Sequence, residues 1–265
     1  MAEQGGRHGP ESDSTPPVSL TVFFPCYNEQ DNVANVVRQA VEVLEGLRAD
    51  YEVLIVNDGS ADETGRVADQ IAATNERIRV IHHPRNLGYG AALQSGFRAA
   101  TRDLVFYTDG DGQFDMKEMP LLLPLMAEYD IVSGYRMNRQ DPPLRRLNGW
   151  LWTRMNDFLF SLDLRDLDCA FKLFKRAIFD HIKMESQGAL IATEILARAA
   201  RKGYKITEKG VHHYPRTAGK PTGGNPRVIL RAFKEVIRLR GRILSDRQRH
   251  CSRFHLGTTP TMHNE

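Results

Sequence analysis

The stretch LVFYTDGDGQFD, residues 104–115, decides how the rest of the sequence is arranged. Its first five residues favour a β-strand, and the glycines that follow permit a tight turn directly after the strand. The residues of that turn are Asp109, Gly110, Asp111, Gly112 and Gln113. Carboxylate and carboxamide oxygens are the ligands that Mg²⁺ or Mn²⁺ carrying a diphosphate prefers, so the turn is a candidate metal site. The same residue types are common in plain β-turns, and this stretch alone leaves both interpretations open.

The composition is that of an ordinary globular protein. The chain has 265 residues, of which 41% are hydrophobic and 26% charged, which excludes a wholly disordered chain and allows a sizeable core. Its three cysteines, Cys26, Cys169 and Cys251, lie far apart and form no C-x-x-C pair. We therefore expect neither a disulfide framework nor a zinc site, and a reducing cytoplasm fits best.

Both ends of the sequence are polar. Residues 1–17 are rich in Gly, Pro and Ser and lack the apolar core of a secretory signal, so we expect a disordered tail there. Residues 245–265 form a second polar tail. No uncharged apolar run approaches the roughly 18 residues that span a bilayer, so the sequence predicts a cytoplasmic protein that does not cross the membrane. Association with the cytoplasmic membrane surface stays open.

Positive charge is concentrated near the C-terminus. Residues 226–249 contain eight Lys or Arg and only two acidic residues, whereas the whole chain has a net charge of only +3. Within 226–244, apolar residues such as Ile229, Phe233 and Ile237 recur at helical spacing, which predicts a basic amphipathic helix. Such a helix can lie in a membrane interface beside anionic lipids, or pack on its own domain with its charges in water.

Short apolar runs alternate with helical patterns in the first half of the chain. The apolar runs begin at residues 20, 51, 78 and 104, and helical periodicity lies between them. This order predicts an α/β fold with a mainly parallel sheet and helices on both faces. Ligands of such sheets bind beyond the carboxyl ends of the strands, so the polar segments 25–29, 57–60 and 109–113 should converge on one edge. The glycines of GYGAALQSG lack the spacing of a dinucleotide fingerprint, and no phosphate-loop G-K-S or G-K-T is present.

Six motifs occur in order along the chain: PCYNE, VNDGS, RNLGYGAAL, TDGDGQ, SGYR and DLDCAFKLF. In this order and at these separations they resemble the family 2 glycosyltransferases of the GT-A fold. Within that family they look most like the branch that transfers mannose or glucose to dolichyl or polyprenyl phosphate. The resemblance covers about residues 20–241. It implies a GT-A domain, residues 18–225, that binds a nucleotide-diphosphate sugar at the strand ends.

The resemblance implies a donor site built from the first half of the chain. The residues implied to line the nucleotide pocket are Pro25, Tyr27, Glu29, Val56, Asp58, Asp109 and Gly110. An apolar or aromatic wall suits a base, and an aspartate can accept hydrogen bonds from the N–H groups of uracil or guanine. The residues implied to hold a Mg²⁺ or Mn²⁺ cofactor are Asp109, Asp111 and Gln113. Local roles compete with these, because Pro25 can simply end a strand and Asp58 can belong to a turn.

The second half of the chain is implied to bind the diphosphate and the acceptor. The cationic candidates are Arg136, Arg216 and Lys220. A guanidinium can bind two phosphate oxygens at once, and Lys220 stands in for the family lysine, whose place is taken here by Thr222. The carboxylates expected near the reacting centre are Asp111, Asp166 and Asp168. A hydroxyl acceptor needs a general base, whereas a lipid phosphate is already an anion, so no single base is named.

Residues 144–162 form a helical pattern that is unusually aromatic. Trp150, Trp152, Phe158 and Phe160 all lie in this stretch. We interpret most of these side chains as core. Alternatively, some of them form an apolar groove for the chain of a lipid acceptor.

These expectations combine into a function. The sequence predicts an inverting, metal-dependent transfer of a hexose from GDP-mannose or UDP-glucose, with polyprenyl or dolichyl phosphate at the membrane surface as the favoured acceptor. The alternatives are a soluble hydroxyl acceptor, or a non-catalytic membrane or nucleic-acid adaptor with a vestigial sugar site. The intact Asp109, Asp111 and Gln113 weigh against an adaptor, and no nucleic-acid partner is expected. Peripheral membrane contact through the basic helix is a further expectation.

Overall fold

The computed structural model describes residues 17–137, 143–216 and 235–245. The predicted N-terminal tail, apart from residue 17, and the predicted C-terminal tail beyond residue 245 lie outside the described residues. So do Lys220 and residues 226–234 of the predicted basic helix. The strand-end segments 25–29, 57–60 and 109–113 fall within the described ranges, and so does the DLDC segment, residues 166–169.

Strands and helices alternate along the described chain. The strands are β1 (Ser19–Cys26), β2 (Asp50–Asn57), β3 (Ile78–His82), β4 (Leu104–Thr108), β5 (Ile131–Met137), β6 (Phe171–Lys175) and β7 (Ile206–His212). The α-helices are α1 (Val33–Gly46), α2 (Thr64–Ala72), α3 (Tyr89–Ala99), α4 (Pro143–Phe160), α5 (Ile191–Arg201) and α6 (235–245). Two 3₁₀ segments, Met116–Ala127 and Arg176–Asp180, follow β4 and β6.

The strands form one sheet in the order β3-β2-β1-β4-β6-β5-β7. Neighbouring strands are parallel except around β6, which runs antiparallel to β4 and to β5. The apolar runs of β1 and β2 are buried along nearly their whole length, as expected for strands covered on both faces. The predicted α/β class with a mainly parallel sheet is confirmed.

Helices cover the sheet in two groups. α1 contacts α2 and the Met116–Ala127 segment, whereas α3 contacts α5 and the Arg176–Asp180 segment. An aromatic cluster joins α3 to the sheet; its rings, with neighbouring centroids 4.9–6.1 Å apart, belong to Phe23, Phe97, Tyr107 and Phe174. Burying each ring contributes about 2 kcal/mol by area alone. The cluster therefore fixes the end of β4, directly before residues 109–113, which we call the acidic turn.

The run MPLLLPLMA forms most of the first 3₁₀ segment. Pro120 and Pro124 lack a backbone N–H to donate and disfavour a regular α-helix there. The carboxylate of Asp115 accepts a hydrogen bond of 2.9 Å from the backbone N of Lys117 and caps the segment. Across the described ranges, no helix is both long and apolar enough to span a bilayer.

The register of the sheet brings distant loops to one edge. β1, β2 and β4 are parallel, so the segments that follow them leave the sheet at the same edge. Because β6 is antiparallel, Phe171 at its start pairs with Thr108 at the end of β4. Residues 161–170 therefore lie beside the acidic turn, although they precede their strand rather than follow it.

Candidate active site

The acidic turn after β4 lies close against the end of β1. A Cβ at Gly110 would stand 2.6 Å from Cys26 Sγ and 3.4 Å from the carbonyl oxygen of Pro25, so a side chain does not fit there. Gly112 has a φ of +72°, a left-handed conformation that glycine adopts without strain. The two glycines thus allow the carboxylates between and beside them to sit directly over the end of β1.

We expect Gly110→Ala to destabilise the protein by roughly 1–3 kcal/mol, because the new methyl group pushes the turn away from the buried Cys26 side chain. Urea unfolding measures this loss. Gly46→Ala is a matched control, since a Cβ at Gly46 meets nothing within 4 Å. Adding Cys26→Ala to Gly110→Ala should recover part of the stability. If the double variant is no more stable than the single one, the close approach to Cys26 is not the cause.

The negative charges of the two carboxylates of the turn are only partly compensated by neighbouring groups. Asp109 Oδ1 accepts a hydrogen bond of 2.9 Å from the Tyr89 hydroxyl, and Asp111 Oδ1 accepts one of 3.1 Å from the backbone N of Gln113. Burial, and then the charge of Asp111, raises the pKa of Asp109 to about 7. Burial also raises the pKa of Asp111, in spite of its hydrogen bond and the nearby Arg216. A bound cation would supply the missing charge.

Asp109→Asn should stabilise the metal-free protein at neutral and higher pH. The folded state binds the proton of Asp109 more tightly than the unfolded chain does, so ionisation destabilises the fold as the pH rises from about 4 to about 7. The amide carries no charge. In EDTA, the gain in melting temperature should be several degrees at about pH 8 and close to zero at about pH 4.

Asp103→Asn is the control for this pH dependence. Asp103 is an exposed carboxylate just before β4, at the opposite end of the strand. The control should change the melting temperature little at either pH. A gain for Asp109→Asn that is equal at both pH values would contradict the electrostatic explanation.

The loops after β1 and β2 are tied together. The backbone N of Asn28 donates to Ser60 Oγ at 3.0 Å, and Asn28 itself has a φ of +57°, which asparagine tolerates better than most residues. The backbone N of Glu29 donates to the Thr64 hydroxyl at 2.8 Å. These contacts fix the PCYNE segment and leave Tyr27 40% exposed beside the space over the ends of β1, β2 and β4, which we call the cleft.

Asp58 holds the loop that leads into α3. Its carboxylate accepts hydrogen bonds of 2.9 and 3.0 Å from the backbone N atoms of Leu87 and Gly88. The same carboxylate lies 2.7 Å from His83 Nδ1, and His83 Nε2 lies 2.9 Å from Ser95 Oγ. Asp58 therefore has a structural role in the RNLGYG loop, and its contact with a base stays a prediction.

Residues 213–216 fold back over the acidic turn. The backbone N of Tyr214 donates to the carbonyl oxygen of Gln113 at 2.8 Å, and Gln113 Nε2 donates to the carbonyl oxygen of Tyr214 at 2.9 Å. The guanidinium of Arg216 forms an ion pair with Glu29. Arg216 thus reaches the donor side of the cleft, and Gln113 keeps only its amide oxygen for a metal.

A two-pronged ion pair joins the end of β5 to the loop that enters β6. Arg136 Nε and Nη2 donate to the two carboxylate oxygens of Asp166 at 2.7 and 2.8 Å, and the backbone N of Arg136 donates to Asp166 at 3.1 Å. In spite of burial, the guanidinium lowers the pKa of Asp166. Nη1 takes no part in this pair, so Arg136 can hold the loop and still donate to a phosphate.

Asp168 has different surroundings from Asp166. The residue as a whole is exposed, and within the described part of the chain it forms no ion pair. The protein packed around it and the charge of Asp166 raise the pKa of Asp168, whereas Arg136, Lys172 and a hydrogen bond from Trp152 lower it. A carboxylate that faces solvent and has a raised pKa is suited to accept a proton.

Residues 21–183 match the family model described as Glycosyl transferase family 2. The chain belongs to this family. The matched range of this family 2 glycosyltransferase runs from β1 to the segment after β6 and includes the acidic turn and the DLDC loop. The family predicted from the six motifs is therefore confirmed.

One curated relative is glycosyltransferase AglD of Haloferax volcanii, which is 37% identical over 214 residues. The aligned part is 75% of this glycosyltransferase but 34% of AglD, so the chain spans about a third of that relative's length. The lipid-phosphate branch within the family stays a prediction.

Solved structures share the fold at low identity. Glucosyl-3-phosphoglycerate synthase from Mycobacterium tuberculosis, in complex with Mn²⁺, UDP and glucosyl-3-phosphoglycerate, has a TM-score of 0.61 at 17% identity, covering 89% of this glycosyltransferase and 80% of that chain. Mannosyl-3-phosphoglycerate synthase from Rubrobacter xylanophilus has a TM-score of 0.61 at 17% identity, with 93% and 79% covered. These likenesses support the GT-A fold and nothing finer.

The acidic turn fits a hard divalent cation. Asp109 and Asp111 offer carboxylate oxygens, and burial, followed by neighbouring negative charge, raises the pKa of both. No cluster of three or more His, Cys, Asp or Glu within the described ranges is arranged to hold a metal ion by itself. Two carboxylates suit Mg²⁺ or Mn²⁺ that completes its shell with water and donor phosphates, rather than a cage made of protein alone.

The predicted site residues differ in how they are placed. Those that the fold brings to the cleft are Tyr27, Glu29, Asp109, Gly110, Asp111, Gln113, Arg136, Asp166, Asp168 and Arg216. Pro25 and Val56 are buried inside β1 and β2, so their contact with a nucleotide stays a prediction.

Sequence reasoning missed two residues of the site. Tyr89, at the start of α3, donates to Asp109, and Lys172, in the middle of β6, has no exposure to solvent. Lys172 donates from Nζ to the carbonyl oxygen of Cys169. The signal that could have found Lys172 is its position: a lysine within an apolar strand of a sheet covered on both faces has no route to water.

Proposed function

We propose that this glycosyltransferase transfers a hexose, with inversion, from GDP-mannose or UDP-glucose to polyprenyl phosphate. One observation carries the proposal: the acidic turn after β4 and the Arg136, Asp166 and Asp168 group meet at one edge of the sheet. The first group suits a diphosphate with its metal. The second group suits the acceptor and the sugar centre.

The donor half binds and orients the nucleotide-diphosphate sugar. Asp109 and Asp111, with the amide oxygen of Gln113, would hold Mg²⁺ or Mn²⁺, which neutralises charge on the departing nucleoside diphosphate. Arg216 and the spare Nη1 of Arg136 donate to phosphate oxygens. The exposed ring of Tyr27 provides an aromatic wall for the base.

The acceptor half faces the sugar from the other side. An acceptor oxygen attacks the anomeric carbon, the bond from that carbon to the diphosphate oxygen breaks, and the nucleoside diphosphate leaves in a single displacement that inverts the centre. An ionised Asp168 stabilises the positive charge that develops on the sugar ring. Asp168 also accepts the proton when the acceptor still carries one, because the second pKa of a phosphate monoester is near 6.

The outer face of α4 supports a lipid acceptor. Its exposed apolar side chains recur along one face: Leu147 at 51%, Trp150 at 57%, Leu151 at 49% and Phe158 at 83% exposure. The polar Thr153 and Asn156 are buried on the inner face instead. A helix with its apolar side outward favours an apolar surface as neighbour. We expected most of these aromatic side chains in the core, but Trp150 and Phe158 lie at the surface.

Helix α6 packs beside the end of α4 and carries positive charge. Leu239 and Ile243 of α6 pack with Ala197 of α5 and with Phe160 at the end of α4. The outward residues of α6 include Ile237, Arg238, Arg240, Arg242 and Leu244. Anionic headgroups attract such arginines while the apolar side chains enter the interface.

A vesicle experiment tests the lipid surface. Replacing Trp150 and Phe158 together by Ser should reduce co-sedimentation with vesicles that contain anionic phospholipid, because both apolar anchors are lost. Leu121→Ser is the matched control, since Leu121 is also exposed, at 48%, on the 3₁₀ segment after β4. Equal binding of all three proteins would contradict the membrane part of the proposal.

Calorimetric titration tests the donor. Binding of one nucleotide among GDP and UDP, and of its sugar derivative, should strengthen when Mn²⁺ is added. A transfer assay then compares polyprenyl phosphate with soluble hydroxyl acceptors. Absence of binding to GDP, UDP, GDP-mannose and UDP-glucose in a folded sample would overturn the donor assignment, and transfer only to a soluble hydroxyl would overturn the acceptor assignment.

A further inference from the structure

Lys172 lies in the middle of β6 with its side chain fully buried. Its cross-strand neighbours on the same face are Tyr107 of β4 and Ser133 of β5, which are buried and uncharged. Placing an ammonium group in such surroundings is unfavourable unless other groups compensate for the lost water. The compensation for Lys172 therefore has to come from elsewhere.

The ammonium reaches the loop that enters β6. Its Nζ donates to the carbonyl oxygen of Cys169. Burial lowers the pKa of Lys172, and the nearby Cys169, Asp166 and Asp168 groups act in the opposite direction. Asp166 is already bound by Arg136 through both carboxylate oxygens. Asp168 has no ion pair within the described residues, so the charge of Lys172 acts on it together with that of Arg136.

We propose that Lys172 is a positioning residue that holds the 166–169 loop from beneath and keeps the Asp168 carboxylate ionised and facing the cleft. Because it is fully buried, Lys172 itself touches neither donor nor acceptor. The importance of Asp168 rests on the proposed function, but its coupling to Lys172 does not and can be measured without turnover.

Several elements surround Asp168. The groups that face it are Asp166 and Cys169 of its own loop, Arg136 of β5, Tyr107 of β4, Lys172 of β6 and Trp152 of α4. Burial raises the pKa of Cys169 to about 12 and that of Tyr107 well above its usual value, so both are uncharged near neutral pH. Arg136 and Lys172 are the cations that lower the pKa of Asp168. Loss of Lys172 should therefore raise it.

Tryptophan fluorescence provides a direct measurement. The chain has two tryptophans, and Trp150 is largely exposed whereas Trp152 hydrogen-bonds Asp168. In a Trp150→Phe background, the emission of Trp152 should change with pH as Asp168 gains its proton. Adding Asp168→Asn should abolish this transition, which identifies its source.

Lys172→Gln in that background removes the charge but keeps a hydrogen-bond donor for Cys169. The midpoint of the fluorescence transition should rise by about one pH unit. Lys175→Met is the matched control, because Lys175 ends the same strand and pairs with Asp130 at 2.9 Å, away from the loop. It should leave the midpoint unchanged. A midpoint that stays the same in Lys172→Gln overturns the proposal.

A second measurement leaves Lys172 in place, in case its substitution prevents folding. In protein labelled with ¹⁵N-lysine, the Nζ resonance of Lys172 should shift over the pH range in which Asp168 titrates. It should not shift there in Asp168→Asn, whose changed side chain is exposed. If the Nζ resonance does not shift over that pH range, the proposed coupling is wrong. If the coupling holds but the pH profile of kcat does not follow it, the role of Asp168 in the proposed function fails instead.

Discussion

Asp111→Asn should reduce metal-dependent hexose transfer by at least about 100-fold while the protein stays folded. Asn removes one of the two charges that would hold the cation, and it leaves the shape of the side chain nearly unchanged. Asp111 sits in a turn whose surroundings already disfavour its charge, so the substitution should not reduce the melting temperature. Turnover measured against Mn²⁺ concentration, together with a thermal melt, checks both statements.

Asp115→Asn is the matched control for this loss. Asp115 lies in the same stretch and caps the following 3₁₀ segment through the backbone N of Lys117, a role that Asn also performs well. Its transfer activity should stay near that of the unchanged protein. Equal Mn²⁺-dependent activity in Asp111→Asn and Asp115→Asn would remove the metal role assigned to the turn.

Arg136→Met should destabilise the protein by about 3–5 kcal/mol, because the Asp166 carboxylate is then left buried without its cation. Activity should fall as well, since the DLDC loop loses its anchor. The urea midpoint measures the loss of stability. Asp166 has a lowered pKa in the folded state, so the ion pair stabilises the protein above the usual pKa of an aspartate and this contribution fades as the pH falls below it. The penalty should therefore shrink in acid.

Two variants separate this ion pair from a general effect of losing arginine. Arg154→Met removes an exposed arginine that pairs with Asp157 at 3.3 Å, and it should change stability by less than about 1 kcal/mol. Combining Arg136→Met with Asp166→Asn should recover part of the loss, because the unpaired charge is gone. A double variant less stable than Arg136→Met alone would contradict this account.

The donor half of the fold could be predicted from local patterns. Apolar runs followed by Pro, Gly, Asn and Asp mark strands and the loops that follow them, and parallel strands place those loops at one edge. The acidic turn at Asp109 and Asp111 follows directly from this logic. Each of these signals involves residues that are close in sequence, so no knowledge of long-range packing is required.

The acceptor half depends on packing that local patterns do not encode. Arg136 and Asp166 form an ion pair although they are far apart in sequence, and no local sequence pattern predicts that they pair. The aromatic pattern of α4 predicts an amphipathic helix but not which face points inward. The expectation that most of its aromatic side chains are core therefore could not single out Trp150 and Phe158, which lie at the surface. Lys172 resembles an ordinary strand residue until β6 is known to lie between two other strands.

The reversed direction of β6 divides the cleft into two parts that are built by different kinds of loop. Loops that leave β1, β2 and β4 form the proposed donor half, whereas a loop that enters β6 forms much of the proposed acceptor half. Because Asp166 anchors Arg136, residues 161–170 can change in sequence without disturbing the other loops only where the Asp166 carboxylate is kept. Exchanging this loop for that of a relative should change acceptor preference while nucleotide affinity is retained, which makes it a natural unit for engineering new glycosides. A loop exchange that changes nucleotide affinity as strongly as acceptor preference would show that the two parts are not independent.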